Sequence, residues 1–183
     1  MLSLTSVCLS DNSAEDLVHA INISALESLT LRGCDDSEEF LSLLSRSPAP
    51  IRLKTFEVAA SEILGGDGDR GIAEFVGSFK GLQELLVHFA GPEPSPFRVW
   101  AALAGHKTTL KRFIYHKRTV LGQWDAVDSR EDLGVPDLSL DAPEQHPQAN
   151  PIWCLEVECL GLSCRPDVLV RVIPCLKSES LSR

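Results

Sequence analysis

The chain reads as an α/β solenoid of five to six irregular repeats, with parallel strands along one concave side and helices behind. Three observations predict this: a recurring L-x-x-L-x-L phrase, its return at near-constant intervals, and a turn followed by an apolar stripe of helical spacing after the early occurrences. The phrase occurs as Leu4-Val7-Leu9, Leu26-Leu29-Leu31, Leu53-Phe56-Val58, Leu82-Leu85-Val87, Leu110-Phe113-Tyr115 and Val157-Leu160-Leu162. Its first five starts, at 4, 26, 53, 82 and 110, lie 22, 27, 29 and 28 residues apart. A strand followed by a helix, repeated, calls for crossover connections and hence parallel strands.

The elements follow in order. After Leu9 the Asp11-Asn12-Ser13 turn leads into Leu17, Val18, Ile21 and Ile23, with Ser13 as the expected helix cap. After Leu31, Gly33 to Ser37 is a turn. Ser37 then caps a helix carrying Glu38 and Glu39 in its first turn and Phe40, Leu41, Leu43 and Leu44 as its apolar stripe, stopped by Pro48 and Pro50. In the third unit Gly65 to Asp69 reads as a loop before Ile72, Phe75, Val76 and Phe79. In the fourth, Gly91 to Pro96 is a rigid connector before Phe97, Val99, Trp100 and Leu103.

The rhythm breaks after the fifth unit, dividing the chain into repeats over 1–121, an insertion over 122–150, and a further repeat with the C-terminal end over 151–183. From Leu121 to Pro151, seven acidic residues face Arg130 alone, which accounts for −6 of the formal net charge of −9. With Pro136, Pro143, Pro147 and Pro151, the segment reads as an exposed loop. Its charge is expected to be solvated, the alternative being that it folds back on Lys107, Lys111, Arg112, Lys117 and Arg118.

At 183 residues and 44% hydrophobic content, the chain suits one domain with a core of its own. The net charge argues against general binding of nucleic acid, which needs clustered Lys and Arg. No window approaches the ~18 apolar residues of a membrane span. The first residues also lack the charged and apolar regions of a secretory signal. An intracellular protein, cytoplasmic or nuclear, with no membrane partner is therefore expected. Six cysteines in so long a chain are no disulfide framework.

The stretch Leu26-Glu27-Ser28-Leu29-Thr30-Leu31-Arg32-Gly33-Cys34-Asp35 resembles the leucine-rich repeat family, whose period is roughly 20–29 residues. Its Cys34-Asp35 ending is similar to the cysteine-containing repeats that follow F-boxes in substrate-recognition subunits of ubiquitin ligases. The phrase Phe113 to Arg118 adds a likeness to fungal proteins of that kind. Leu4 to Asn12 fits as well, with Asn12 at the ladder position where the family places Asn or Cys; later units have Ser61, Ala90, Arg118 and Arg165 there. The resemblance implies a non-catalytic protein-interaction module, the substrate-holding part of an F-box-type ubiquitin-ligase receptor. No F-box precedes the first repeat and no polar cap follows the sixth, so the chain reads as a fragment of a longer protein. The ligase core is a partner only through an F-box outside these residues. The alternative is a truncated or orphan repeat product with a structural role alone.

Candidate chemistry is sparse. Cys154, Cys159 and Cys164 recur every five residues, with Cys175 later, whereas zinc sites favour C-x2-4-C; buried or incidental cysteine is the better reading. Asp67-Gly68-Asp69 opens like a calcium loop without the acids that complete one. No nucleophile-elbow, phosphate-loop or H-E-x-x-H motif occurs, so neither catalysis nor a cofactor is expected.

Strand alternation supplies the sharpest candidate. If the phrase leucines point inward, Ser28, Thr30 and Arg32, Thr55, Glu57 and Ala59, Glu84, Leu86 and His88, and Arg112, Ile114 and His116 point to the concave face. Leu86 and Ile114 become exposed apolar neighbours with His88 beside His116, as a partner site would look. Arg32, Glu57, Glu84, Leu86, His88, Arg112, Ile114 and His116 are the expected contacts of a protein partner. The competing reading has a missing repeat or the acidic insertion covering them.

Overall fold

A computed structural model describes residues 1–60, 68–90, 96–118 and 155–162, together with the backbone but not the side chains of Asp11, Asn12, Gly68, Asp69, Phe89, Ala90, Pro96, Phe97, Lys117 and Arg118 within them. Six strands, β1 (Leu2–Thr5), β2 (Ser28–Arg32), β3 (Thr55–Ala60), β4 (Glu84–Ala90), β5 (Arg112–Arg118) and β6 (Cys159–Leu162), form one parallel sheet in sequence order. Between them come helices α1 (Asp11–Ala20), α2 (Ser37–Ser45), α3 (Gly68–Gly77) and α4 (Pro96–Ala102), with short 3-10 turns at Ile23–Ala25 and Leu103–His106. Each helix contacts the next, α1 to α2, α2 to α3 and α3 to α4, so the helices lie side by side along one face of the sheet. This is an α/β fold built on a single parallel sheet.

Register explains the core. One row of paired residues runs Leu2, Leu29, Phe56, Leu85, Phe113, Leu160, and a second runs Leu4, Leu31, Val58, Val87, Tyr115, Leu162. In the four inner strands these residues are buried, and in the edge strands partly so. Against them the helices place Ala14, then Phe40, Leu41 and Leu44, then Ile72, Phe75 and Val76, then Val99, Trp100 and Leu103, spaced three or four apart as one helix face requires. Burying each such Leu or Phe contributes about 1.5–3 kcal/mol. Phe56 meets Phe75 edge-on at 5.1 Å, and Phe75 meets Phe79 at 5.4 Å, tying β3 to α3.

Paired residues of the first five strands are 27, 27, 29 and 28 apart along the rows beginning Leu2, Leu29, Phe56, Leu85 and Phe113. Phe113 and Leu160 are 47 apart, yet β6 pairs directly with β5. The insertion that separates them, 122–150, lies outside the described residues, as do Cys154, Cys164 and Cys175.

Several local expectations are corrected. The first strand is Leu2–Thr5, so Leu2 and Leu4, and not Val7 and Leu9, match Leu29 and Leu31. Ser6, at φ 54°, ends that strand and donates its N–H to the Arg32 carbonyl at 2.8 Å. The Leu4-Val7-Leu9 spacing matches the phrase by coincidence, and the apparent 22-residue interval becomes 27. Because Cys8 bridges Asp35, Val7 is the counterpart of Cys34; Asn12 lies in α1 and not at the ladder position.

Helix starts shift as well. α1 begins at Asp11 after Ser10, and Ser13 sits inside it, donating its hydroxyl to the Ser10 carbonyl at 2.7 Å. Ser37 is the first residue of α2, which starts from Asp36 held left-handed at φ 55°; Glu38 and Glu39 occupy the first turn as expected. Gly68 and Asp69 open α3 and are not loop. Pro96 opens α4, where its fixed φ and missing N–H do no harm.

Candidate protein-binding face

Residues alternating with the core rows form the opposite face of the sheet. The central row there is Ser3, Thr30, Glu57, Leu86, Ile114, Gly161. Towards the strand ends runs Thr5, Arg32, Ala59, His88, His116, and towards the strand starts runs Ser28, Thr55, Glu84, Arg112, Cys159. The expected contact residues therefore share one face. Arg32, His88, Arg112 and His116 are exposed, while Glu57, Glu84, Leu86 and Ile114 are half-exposed.

Their electrostatics divide the face in two. On the β2–β3 side, Arg32 Nε donates to Glu57 Oε1 at 2.6 Å. That hydrogen bond, with the carboxylate's charge, raises the guanidinium pKa above its ordinary value. Such an exposed pair contributes little to stability, but each charge satisfies the other. On the β4–β5 side, Glu84 and Arg112 are register partners, yet they form no ion pair with each other or with another described residue. Between Arg112 and His116 stands Ile114, next to Leu86. Here the face carries two apolar side chains, one carboxylate, one guanidinium and two imidazoles.

Ile114 owes part of its position to Gly161. A Cβ added at Gly161 would lie 3.2 Å and 3.3 Å from the two γ carbons of Ile114, so the isoleucine leans over a residue without a side chain. Sequence reasoning overlooked this glycine. The signal was its place between Leu160 and Leu162, since a glycine inside a strand marks close approach. His88 and His116 meet with ring centroids 4.6 Å apart at 61°.

His106 also escaped sequence reasoning, and its role is structural. Fully buried after α4, it accepts the Leu82 N–H at Nδ1 (3.1 Å), and its Nε2 lies 2.9 Å from the Val76 carbonyl. With Nδ1 accepting, Nε2 carries the proton and donates. The ring thus joins the end of α3 to the entry of β4. Burial lowers its pKa, and the bond to Val76 opposes that shift in part.

Among the described residues, nothing else gathers into a site. Cys8 and Cys159 are exposed free thiols and Cys34 a buried one. Among the described residues no group of three or more His, Cys, Asp or Glu could hold a metal ion. No helix among them is long and apolar enough to cross a membrane. A shallow groove of about 440 Å³ between α3 and α4 is lined by Arg70, Ala73, Glu74, Arg98 and Ala102, with Arg70 and Glu74 ion-paired at 2.8 Å. No protein-family model, curated protein or solved structure matches the chain.

Proposed function

We propose that the chain is a leucine-rich repeat solenoid that works as a non-catalytic protein-interaction module, holding a protein partner against the open face of β4 and β5. The observation that carries this reading is the Leu86–Ile114 pair, register neighbours on the face away from the helices, with Arg112 and Glu84 beside them free of ion pairs among the described residues. Two half-exposed apolar side chains at the surface, flanked by solvated charges, cost solvation free energy that a partner recovers.

The repeat identity is supported by the 27- to 29-residue spacing of the first five strands and by Cys34. The buried Cys34 thiol lies 3.6 Å from the Leu4 carbonyl of the preceding unit and 3.7 Å from the Arg32 carbonyl. A thiol shared between successive turns is what a ladder position asks of its side chain. On the resemblance of this Cys-ended repeat, the finer role is substrate holding in an F-box-type ubiquitin-ligase receptor, with the ligase core engaged by an F-box outside this chain.

The doubly substituted variant Leu86→Asp, Ile114→Asp tests the module. It is expected to lose partner binding in affinity capture from the native host while keeping the helical circular-dichroism signal, because both residues lie outside the core. Retained binding, or a lost helical signal, contradicts the reading.

A further inference from the structure

Charge is scarce in two of the three outward rows of β2 to β6. The row at the strand starts, Ser28, Thr55, Glu84, Arg112 and Cys159, holds one carboxylate and one guanidinium, on neighbouring strands. In the central row the only charge is Glu57, which accepts from Arg32. Glu84 and Arg112 are therefore the only charges of these two rows without an ion pair among the described residues. The residues paired with them on either side, Thr55 and Cys159, carry no charge.

Their place decides what can cover the apolar pair. Strands lie about 4.8 Å apart, and residues on one face of a strand recur about every 6.6 Å. Glu84 thus stands one step from Leu86 on β4, and Arg112 one step from Ile114 on β5. A segment laid across the strands with an apolar side chain on Leu86 and Ile114 brings one flank to the β4 side and the other to the β5 side. It also removes water from both charges. A charge that loses water without gaining a counter-charge weakens binding, and a like charge placed there weakens it further. A uniformly acidic segment suits Arg112 and is repelled by Glu84; a uniformly basic one suits Glu84 and is repelled by Arg112.

We propose that this face selects a partner segment in which an apolar residue is flanked by one basic and one acidic residue, the basic one meeting Glu84 and the acidic one Arg112. The inference rests on the protein-binding reading of Leu86 and Ile114. The charges add orientation. Turned about, the same segment sets like against like, so its order of signs fixes which way the partner lies across β4 and β5.

The probes are four synthetic peptide libraries with a fixed central leucine: Lys-x-Leu-x-Glu, Glu-x-Leu-x-Lys, Glu-x-Leu-x-Glu and Lys-x-Leu-x-Lys, each with random residues elsewhere. Their binding to the immobilised full chain is measured. One of the two mixed libraries should bind about tenfold or more tighter than either single-sign library. Single-sign binding as tight as the mixed, or binding of no library, overturns the proposal. The double variant Glu84→Arg, Arg112→Glu keeps the net charge and leaves the core untouched. It should exchange the preference between the two mixed orders, and an unchanged preference overturns the orientation. Equal binding of all four libraries that disappears in Leu86→Asp, Ile114→Asp would end the charge selection and leave the apolar contact standing, whereas binding that survives that variant would overturn the reading beneath it.

Discussion

His106 is one neutral ring doing what a turn of backbone would otherwise do. Removing it in His106→Ala leaves the Leu82 N–H and the Val76 carbonyl buried without their partner. A loss of about 1–3 kcal/mol is expected, read by urea denaturation. The ring also sets a pH dependence. Burial lowers its pKa in the folded chain below the ordinary 6.5, so the unfolded chain takes up the proton first. Its contribution is fully present above pH 6.5 and is lost as pH falls through the folded value. Stability measured from pH 7.5 downward should therefore decline less in His106→Gln than in the parent chain, and equal slopes would contradict the assignment. No sequence pattern marks this histidine, because its partners are backbone groups of Val76 and Leu82, brought to it only by folding.

Between elements, the tightest constraint is at Gly71 in α3. A Cβ there would approach the Glu38 carbonyl oxygen at 3.1 Å and its Cα at 3.2 Å, so α2 and α3 meet backbone against backbone. Gly71→Ala must push the helices apart, and overpacking of this kind costs about 1–3 kcal/mol, seen as a lowered Tm. Gly71→Ala at full stability would show that the contact yields freely. Phe75, on the same helix, fills the core between Phe56 and Phe79; Phe75→Ala should cost about 3–5 kcal/mol in chemical denaturation.

The apolar stripes of α2, α3 and α4 were legible in the sequence because their spacing suits no other element. The first strand was not. Leu2-Ser3-Leu4 and Val7-Cys8-Leu9 alternate equally well, and only the register against Leu29 and Leu31, with the turn at Ser6, decides between them. Helix starts were misplaced where a side chain that looked like a cap, Ser13, instead bonds back within the helix to Ser10.

Over the whole molecule, the sheet grows strand by strand in sequence order, so each unit leans on its neighbours and the ends have one neighbour fewer. Amide hydrogen exchange should be slowest in β3 and β4 and faster in β1 and β6, whose core-row residues are only partly buried. Uniform protection would contradict a stepwise array. The same order places the outward residues of four strands on one face, and alternation alone made that face legible. What the alternation could not reveal was its division: Arg32 neutralised by Glu57, while Arg112 and Glu84, though register partners, form no ion pair among the described residues. The most direct test of that face is photo-crosslinking in the native host, with p-benzoylphenylalanine replacing Ile114 on the open face or the exposed Ala101 on α4. A discrete protein adduct from position 114 and none from position 101 is the predicted result; equal adducts from both, or adducts from 101 alone, would contradict the open face as the partner-binding surface.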